Sequence, residues 1–210
     1  MNGMNKIEIF LIRHGETEWN AEGRLQGWLD SNLTPTGRLH AEKLRDFLAQ
    51  ETFHAVYSSP SQRALQTANI LTNQKMNIIQ DKRLQEIRLG NWQGRLIEEI
   101  LQNDSKRYLH YTESPELYDP DPESERFEQV SKRMGEFLHN CVQKHDGERI
   151  VVVTHGVAIR ALLVAIRQLP IQEIWNTGEI IGTSLTKLIV ENGVVMPVFI
   201  GKTPHLENSH

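Results

Sequence analysis

The chain has 210 residues, enough for one compact domain but few for two, and at that length a core forms without disulfides or structural metal. Its 23 basic and 27 acidic residues leave a net charge of −4, which excludes bulk electrostatic recruitment to nucleic acid or anionic membrane. The single cysteine, Cys141, excludes an intramolecular disulfide and a cysteine-held zinc site.

Met1 to Lys6 lacks the apolar run and cleavage site of a secretory leader. Arg160 and Arg167 interrupt the best candidate for an apolar span of about 18 residues. A cytoplasmic location with no membrane partner is expected. Lys6–Ile12 reads as a first strand, nearly continuous in apolar residues as for burial on both faces. Thr34-Pro35-Thr36-Gly37 opens a helix whose apolar stripe is expected at Leu39, Leu44, Phe47 and Leu48. A short strand at Ala55–Ser58 follows. Ser59-Pro60-Ser61-Gln62 then predicts a helix start, with Ser59 as cap and Gln62 completing a capping box. Asn77–Gln80 is a further strand.

The middle of the chain differs in character. Ile97–His110 is expected to be one helix, and Pro115, Pro120 and Pro122 rule out a regular element over Tyr111–Glu123. Thr112–Glu128 holds seven acidic residues and one basic one, and reads either as a solvated loop or as a lid over a site. A helix from Ser124 to about Lys144 carries Cys141 as a buried thiol. Arg149–Thr154 is a β-branched buried strand feeding a helix from Val157 to Arg167. Leu185–Val190 and Val194–Ile200 form a hairpin about Glu191-Asn192-Gly193. Strands alternating with helices predict a three-layer α/β/α sandwich on a mostly parallel central sheet. The expected domain is 1–202, with a small inserted lid at about 95–128 and a polar, frayed tail at 203–210.

Three strand ends carry polar clusters: Arg13-His14-Gly15, Ser58-Ser59 before the helix bearing Arg63, and Thr154-His155-Gly156. Ligands of open α/β sheets bind beyond the carboxyl ends of strands. If these strands are adjacent and parallel, two histidines and two arginines converge. The guanidiniums match phosphate oxygens, and the helix N-termini after Ser59 and His155 are expected to add amide donors. The arginines discourage protonation of His14, leaving it free to attack phosphorus. A leaving alkoxide needs a proton, and Glu86 is the best-placed carboxyl in the sequence.

These residues resemble a known family. Arg13–Asn20 (RHGETEWN) is similar to the signature of the histidine phosphatase superfamily, also called phosphoglycerate mutase-like. The resemblance continues through Gly23–Gly27, Leu33–Gly37, Ser58-Ser59-Pro60, Arg63-Ala64, Gln66–Ala68, Glu86, Gly90–Gly94 and Val153–Gly156. It implies a metal-independent enzyme without cofactor. His14 would be the phosphorylated nucleophile, Arg13, Arg63 and His155 the phosphate pocket, and Glu86 the general acid that later activates water. Asn20, Gln26 and Gly156 would also contact phosphate or substrate, whereas Thr17 and Trp19 are left as structural.

The short, acidic insertion favours a phosphatase over a cofactor-dependent phosphoglycerate mutase. Trp92-Gln93-Gly94, Pro122–Phe127 and Gly182-Thr183-Ser184 most resemble the bacterial broad-specificity branch. A non-catalytic phosphate-binding module is the third reading. Tyr108, Tyr111, Phe127 and Trp175 are candidates for an apolar wall. The expected partner is a small phosphorylated metabolite, with the choice between monomer and homodimer open.

Overall fold

The computed structural model describes residues 6–207, so residues 1–5 and the last three residues of the expected tail lie outside it. In chain order the regular elements are β1 (Ile7–Arg13), α1 (Glu18–Glu22), α2 (Pro35–Phe47), β2 (Ala55–Ser58), α3 (Gln62–Leu71) and β3 (Ile78–Gln80). They continue with α4 (Ile97–Asn103), α5 (Ser105–Glu113), α6 (Phe127–Lys144), β4 (Arg149–Thr154), α7 (Gly156–Arg167), β5 (Leu185–Glu191) and β6 (Val194–Lys202). The six strands form one sheet in the order β3-β2-β4-β1-β5-β6. The first four run parallel, and β5 and β6 close the sheet antiparallel.

Alternation along the strands divides the core. Ile7, Ile9 and Leu11 face one side with Ile150 and Val152, beneath Val130, Met134 and Phe137 of α6 and Ala158, Ala161 and Leu162 of α7. Phe10, Ile12, Val151 and Val153 face the other, against Leu44 of α2 and Ala64 and Ala68 of α3. Strands covered on both faces have no room for polar positions, which accounts for the near-continuous apolar runs. The result is the expected three-layer α/β/α sandwich with a mostly parallel sheet. Asn192 (φ 51°) and Gly193 (φ 78°) form the two-residue turn between β5 and β6, both in the left-handed region such a turn requires.

Several local expectations are corrected. Of the stripe expected on α2, Leu44 and Leu48 are buried, while Leu39 and Phe47 are 50% and 51% exposed and Gly37 and Ala41 complete the buried face. Gly37 is buried there because the helix start lies against the loop after His14. The helix expected over Ile97–His110 breaks at Asp104, whose carboxylate is drawn aside by the Trp92 indole N–H at 3.0 Å and by Arg107. Beyond the break α5 runs on to Glu113, and Pro115–Leu117 forms a 3-10 turn, so the proline-rich stretch is less irregular than expected. Helix α6 begins at Phe127, three residues later than expected, and buries Cys141; burial pushes that thiol up to about 12, which makes it inert at neutral pH.

The acidic segment packs rather than floats. Tyr111 stacks on Phe127 at 5.1 Å and meets Trp175 at 5.2 Å, while Tyr118 lies 5.4 Å from Phe127. The beginning of the tail does not fray: His205 is buried, and its Nε2 lies 2.9 Å from the Thr183 hydroxyl. Among the described residues no helix is long and apolar enough to cross a membrane.

Candidate active site

Three parallel strand ends build the site. Arg13 stands opposite Thr154 in the β1–β4 register and Ser58 opposite Val153 in the β2–β4 register, so β1, β4 and β2 finish at one edge. The backbone carries the alignment past the strands: the His14 amide donates to Thr154 O at 3.0 Å, and the Ser59 amide to Val153 O at 2.9 Å. His14, Ser59 and His155 are thereby neighbours, although they are distant in sequence. The loop after His14 is pressed against the start of α2. A Cβ on Gly15 would meet Gly37 O at 2.7 Å, and one on Gly37 would meet Glu16 O at 2.2 Å, so neither position has room for a side chain. The Gly15 amide also donates to the Thr67 hydroxyl at 3.0 Å, tying the loop to α3.

The His14 ring is 3% exposed and held by both nitrogens. Its Nδ1 lies 2.7 Å from Gly15 O. A carbonyl only accepts, so the proton sits on Nδ1 and the lone pair on Nε2. Arg63 Nε donates to that Nε2 at 3.3 Å. Burial, then the charges of Arg63 and Arg13, hold the imidazole well below its ordinary 6.5, so it is neutral near pH 7.

Arg63 is 1% exposed, and all three of its guanidinium nitrogens donate. One terminal nitrogen donates to Asp30 Oδ1 at 2.6 Å and Leu29 O at 2.7 Å, and the other to Gly27 O at 2.8 Å. Asp30 does a second thing: its carboxylate accepts from the amides of Gln62 at 2.9 Å and Arg63 at 3.4 Å, capping α3 from outside. This corrects the expected helix start. Ser59 does not cap, the helix begins at Gln62, and the Ser59 hydroxyl instead meets His155 Nε2 at 2.8 Å. The second helix N-terminus is occupied as well, because Glu86 accepts from the amides of Val157 at 3.2 Å and Ala158 at 3.1 Å. The amide donors expected there for phosphate are already satisfied by carboxylates.

Arg13 donates to Ile180 O at 2.7 Å. Burial lowers its pKa, opposed chiefly by the Glu86 charge. His155 is wholly buried, with its ring 5.1 Å from that of His14, and burial followed by the Arg63 charge keeps it neutral. Arg13 Nε and His155 Nδ1 are both buried without a hydrogen-bond partner among the described residues.

A cavity of about 220 Å³ opens at this edge. Its wall includes Arg13, His14, Asn20, Gln26, Arg63, Glu86 and Gly156, seven of the eight residues expected from sequence. His155 is the eighth, its ring beside that of His14 with centres 5.1 Å apart. Asn20 also completes a capping box with Thr17, its Oδ1 accepting from the Thr17 amide at 3.2 Å, and Gln26 Oε1 accepts from the Ser31 hydroxyl at 3.0 Å. Of the four aromatic candidates, Tyr111 and Trp175 reach the cavity, whereas Tyr108 and Phe127 pack beside it.

Sequence reasoning gave no role to Asp30, Arg24 or Arg160. Arg24 and Arg160 line the cavity. Arg160 follows Gly156 by four residues, one helical turn, so helical periodicity counted from the His-Gly turn would have placed it. Asp30 lies in an irregular segment and carries no comparable signal.

Among the described residues no group of three or more His, Cys, Asp or Glu is placed to hold a metal ion. Residues 9–200 match the family model of the histidine phosphatase superfamily, branch 1. Phosphoserine phosphatase 1 of Hydrogenobacter thermophilus is 32% identical over 82% of this chain and 82% of its own. The metal-independent phosphoserine phosphatase of Arabidopsis thaliana is 35% identical over 77% of this chain and 69% of its own. In structure, Bacillus stearothermophilus YhfR superposes with a TM-score of 0.92 at 39% identity, covering 96% of this chain and 100% of that one. An Entamoeba histolytica phosphoserine phosphatase in complex with phosphoserine gives 0.85 at 28% identity, covering 95% and 99%. With that match over nearly its whole length, this chain belongs to branch 1 of the histidine phosphatase superfamily and is a phosphoric monoester hydrolase.

Proposed function

We propose that the enzyme hydrolyses small phosphomonoesters through a phosphohistidine on His14. The observation carrying this reading is the His14 ring itself: neutral, protonated on Nδ1, with its Nε2 lone pair beside the Arg63 guanidinium in the cavity wall. In the first step Nε2 attacks phosphorus and the ester P–O bond breaks. The leaving oxygen takes a proton from Glu86. In the second step the Glu86 carboxylate takes a proton from water, whose oxygen attacks phosphorus. The N–P bond then breaks and inorganic phosphate departs. Each transfer needs positioning and neutralisation of equatorial charge more than covalent help.

Arg13 and Arg63 supply that neutralisation. The two buried nitrogens without partners, Arg13 Nε and His155 Nδ1, fit a phosphoryl oxygen's need for donors. For His155 this requires the Ser59 hydroxyl to donate to Nε2, leaving the proton on Nδ1. Asn20, Gln26 and the backbone at Gly156 complete the contact surface. A cavity of about 220 Å³ suits a small substrate, being below the ~300 Å³ at which sites for drug-sized ligands begin. The phosphoserine bound by the Entamoeba histolytica relative supports the same substrate class.

The test is release of phosphate from p-nitrophenyl phosphate with chelator present. Turnover that disappears in His14→Ala supports the reading; turnover that survives in His14→Ala contradicts it.

A further inference from the structure

A strained turn holds the backbone of Arg13 and His14 from behind. Ile181-Gly182-Thr183-Ser184 closes on itself, the Ser184 amide donating to Ile181 O at 3.1 Å. Thr183 stands third in this turn with φ 58°, where glycine or asparagine is usual. The other non-glycine residues with positive φ among the described residues are Asn73, Gln74, Gln168 and Asn192, so Thr183 alone of these is β-branched. A branched side chain in the left-handed region persists only where its surroundings hold it there.

The strained conformation has a use at the site. It lets the Thr183 amide be shared between Arg13 O at 3.1 Å and His14 O at 3.3 Å. The Arg13 amide in turn donates to Ser184 O at 3.3 Å. A Cβ on Gly182 would meet the Glu16 nitrogen at 3.1 Å, so the turn lies close against the loop after His14. The His14 backbone is thus fixed by Thr154 O of β4 on one side and by this turn on the other.

The Thr183 side chain is fully buried, and its hydroxyl lies 2.9 Å from His205 Nε2. His205 is the one buried residue beyond β6 among the described residues. A second turn, in which the Leu206 amide donates to Thr203 O at 2.9 Å, brings it inward. Burial, then the charges of His40 and Lys43 on α2, pushes the His205 pKa down to about 4, so the ring is neutral near pH 7. We infer that His205 is a positioning residue: it holds the Thr183 side chain, keeps the turn left-handed, and so fixes the Arg13 and His14 backbone for reaction. His205 stands outside the cavity wall and touches no reacting atom. The catalytic consequence rests on the phosphatase reading above, whereas the clamp itself does not.

Glycine adopts positive φ without strain and keeps the amide, so Thr183→Gly removes the need for the clamp. The parent, His205→Ala, Thr183→Gly and the double variant are compared by two readouts. The first is kcat/KM on p-nitrophenyl phosphate. Loss of His205 should lower it by about 10-fold in the parent background, the scale of one buried hydrogen bond whose partner is left unsatisfied. In the Thr183→Gly background the same loss should cost no more than about 2-fold. His205→Gln, which restores a polar atom near the place of Nε2, should stay within about 3-fold of the parent. The second readout is amide hydrogen exchange over residues 180–186. Loss of His205 should speed it by about 10-fold in the parent background and by no more than about 2-fold beside Thr183→Gly.

Equal losses of kcat/KM in the two backgrounds overturn the inference, because His205 would then serve only to seat the tail. A glutamine variant as impaired as alanine overturns it too, and so does faster exchange with kcat/KM unchanged. Should His205→Ala unfold, recovery of the fold in the double variant supports the clamp and unfolding of both overturns it. Turnover that depends on His14 and ignores His205 refutes this inference alone. A parent without turnover whose exchange still depends on His205 refutes the phosphatase reading and upholds the clamp.

Discussion

Removing Asp30 should damage both the helix that carries Arg63 and the aim of its guanidinium. The Asp30 carboxylate caps α3 through the amides of Gln62 and Arg63, and it pairs with the Arg63 side chain at 2.6 Å. Losing a side-chain cap costs about 1 kcal/mol. Breaking a buried ion pair costs about 3–5 kcal/mol. Two features reduce that second cost: the Asp30 side chain is 26% exposed, and Arg63 keeps Gly27 O and Leu29 O as acceptors.

About 2 kcal/mol is therefore reasonable for the pair, making about 3 kcal/mol for Asp30→Ala. Asparagine retains the capping oxygen and loses only the charge, so Asp30→Asn should cost about 2 kcal/mol. In a chain of this size each kcal/mol lowers Tm by about 2–4 °C. Thermal unfolding should thus show drops of about 6–12 °C for alanine and about 4–8 °C for asparagine. Both variants should lose kcat on p-nitrophenyl phosphate by about 10-fold or more, because Arg63 is freed to turn from His14. Two variants that unfold within 1 °C of the parent, by the same ~1 °C scale used to resolve fractions of a kcal/mol, would refute the dual role of Asp30. Full activity in Asp30→Asn would refute its part in aiming Arg63.

Glu86→Gln should slow alkyl phosphates far more than aryl phosphates, since only the poor leaving group needs the proton; equal losses measured on glycerol 3-phosphate and p-nitrophenyl phosphate would count against the acid role. Burial holds His14 and His155 well below 6.5 in the folded protein, whereas the unfolded chain protonates them near that value. The unfolded state therefore binds more protons on acidification, and stability present above pH 6.5 is lost as pH falls below it. The loss is about 1.4 kcal/mol per histidine per pH unit. Thermal unfolding between pH 7.5 and pH 5.5 should show this slope, and its absence in the parent would mean the rings are protonated when folded. The same lowered pKa predicts that kcat/KM is not lost by protonation of His14 near pH 6, which a pH–rate profile checks. With 3-phosphoglycerate and 2,3-bisphosphoglycerate supplied together, hydrolysis should exceed formation of 2-phosphoglycerate, and efficient isomerisation would reverse that order.

The strands were the most legible part of the sequence. Ile150–Val153 and Ile7–Ile12 are buried on both faces, and that single constraint writes itself into every position but Glu8. Because β1, β4 and β2 prove adjacent and parallel, the polar residues at their ends meet, and the motif order became a site. What escaped is what depends on approach between elements. The buried face of α2 includes Gly37, whose small size matters only once the loop after His14 lies against it.

Ser59 had the composition of a cap but turned to His155, and Asp30 took the helix end from an irregular segment whose path no local pattern specifies. The helix N-termini expected to donate to phosphate are instead capped by the protein's own carboxylates, Asp30 and Glu86. Arg160 was visible only as a charge interrupting an apolar run. Its guanidinium donates to Trp175 O and Gly178 O, which a loop brings back from further along the chain.

The central claim is the covalent bond to His14, and trapping it is the most direct measurement. The enzyme would be mixed with p-nitrophenyl phosphate, quenched in alkali within the first turnovers, and mapped by peptide mass spectrometry under conditions that preserve phosphohistidine. One phosphoryl group on the peptide containing His14, absent from His14→Ala and accumulating relative to the parent in a Glu86→Gln variant slow to activate water, is the expected result. Steady hydrolysis with no phosphoryl group on His14 at any quench time, or a phosphopeptide mapped to another residue, would contradict it.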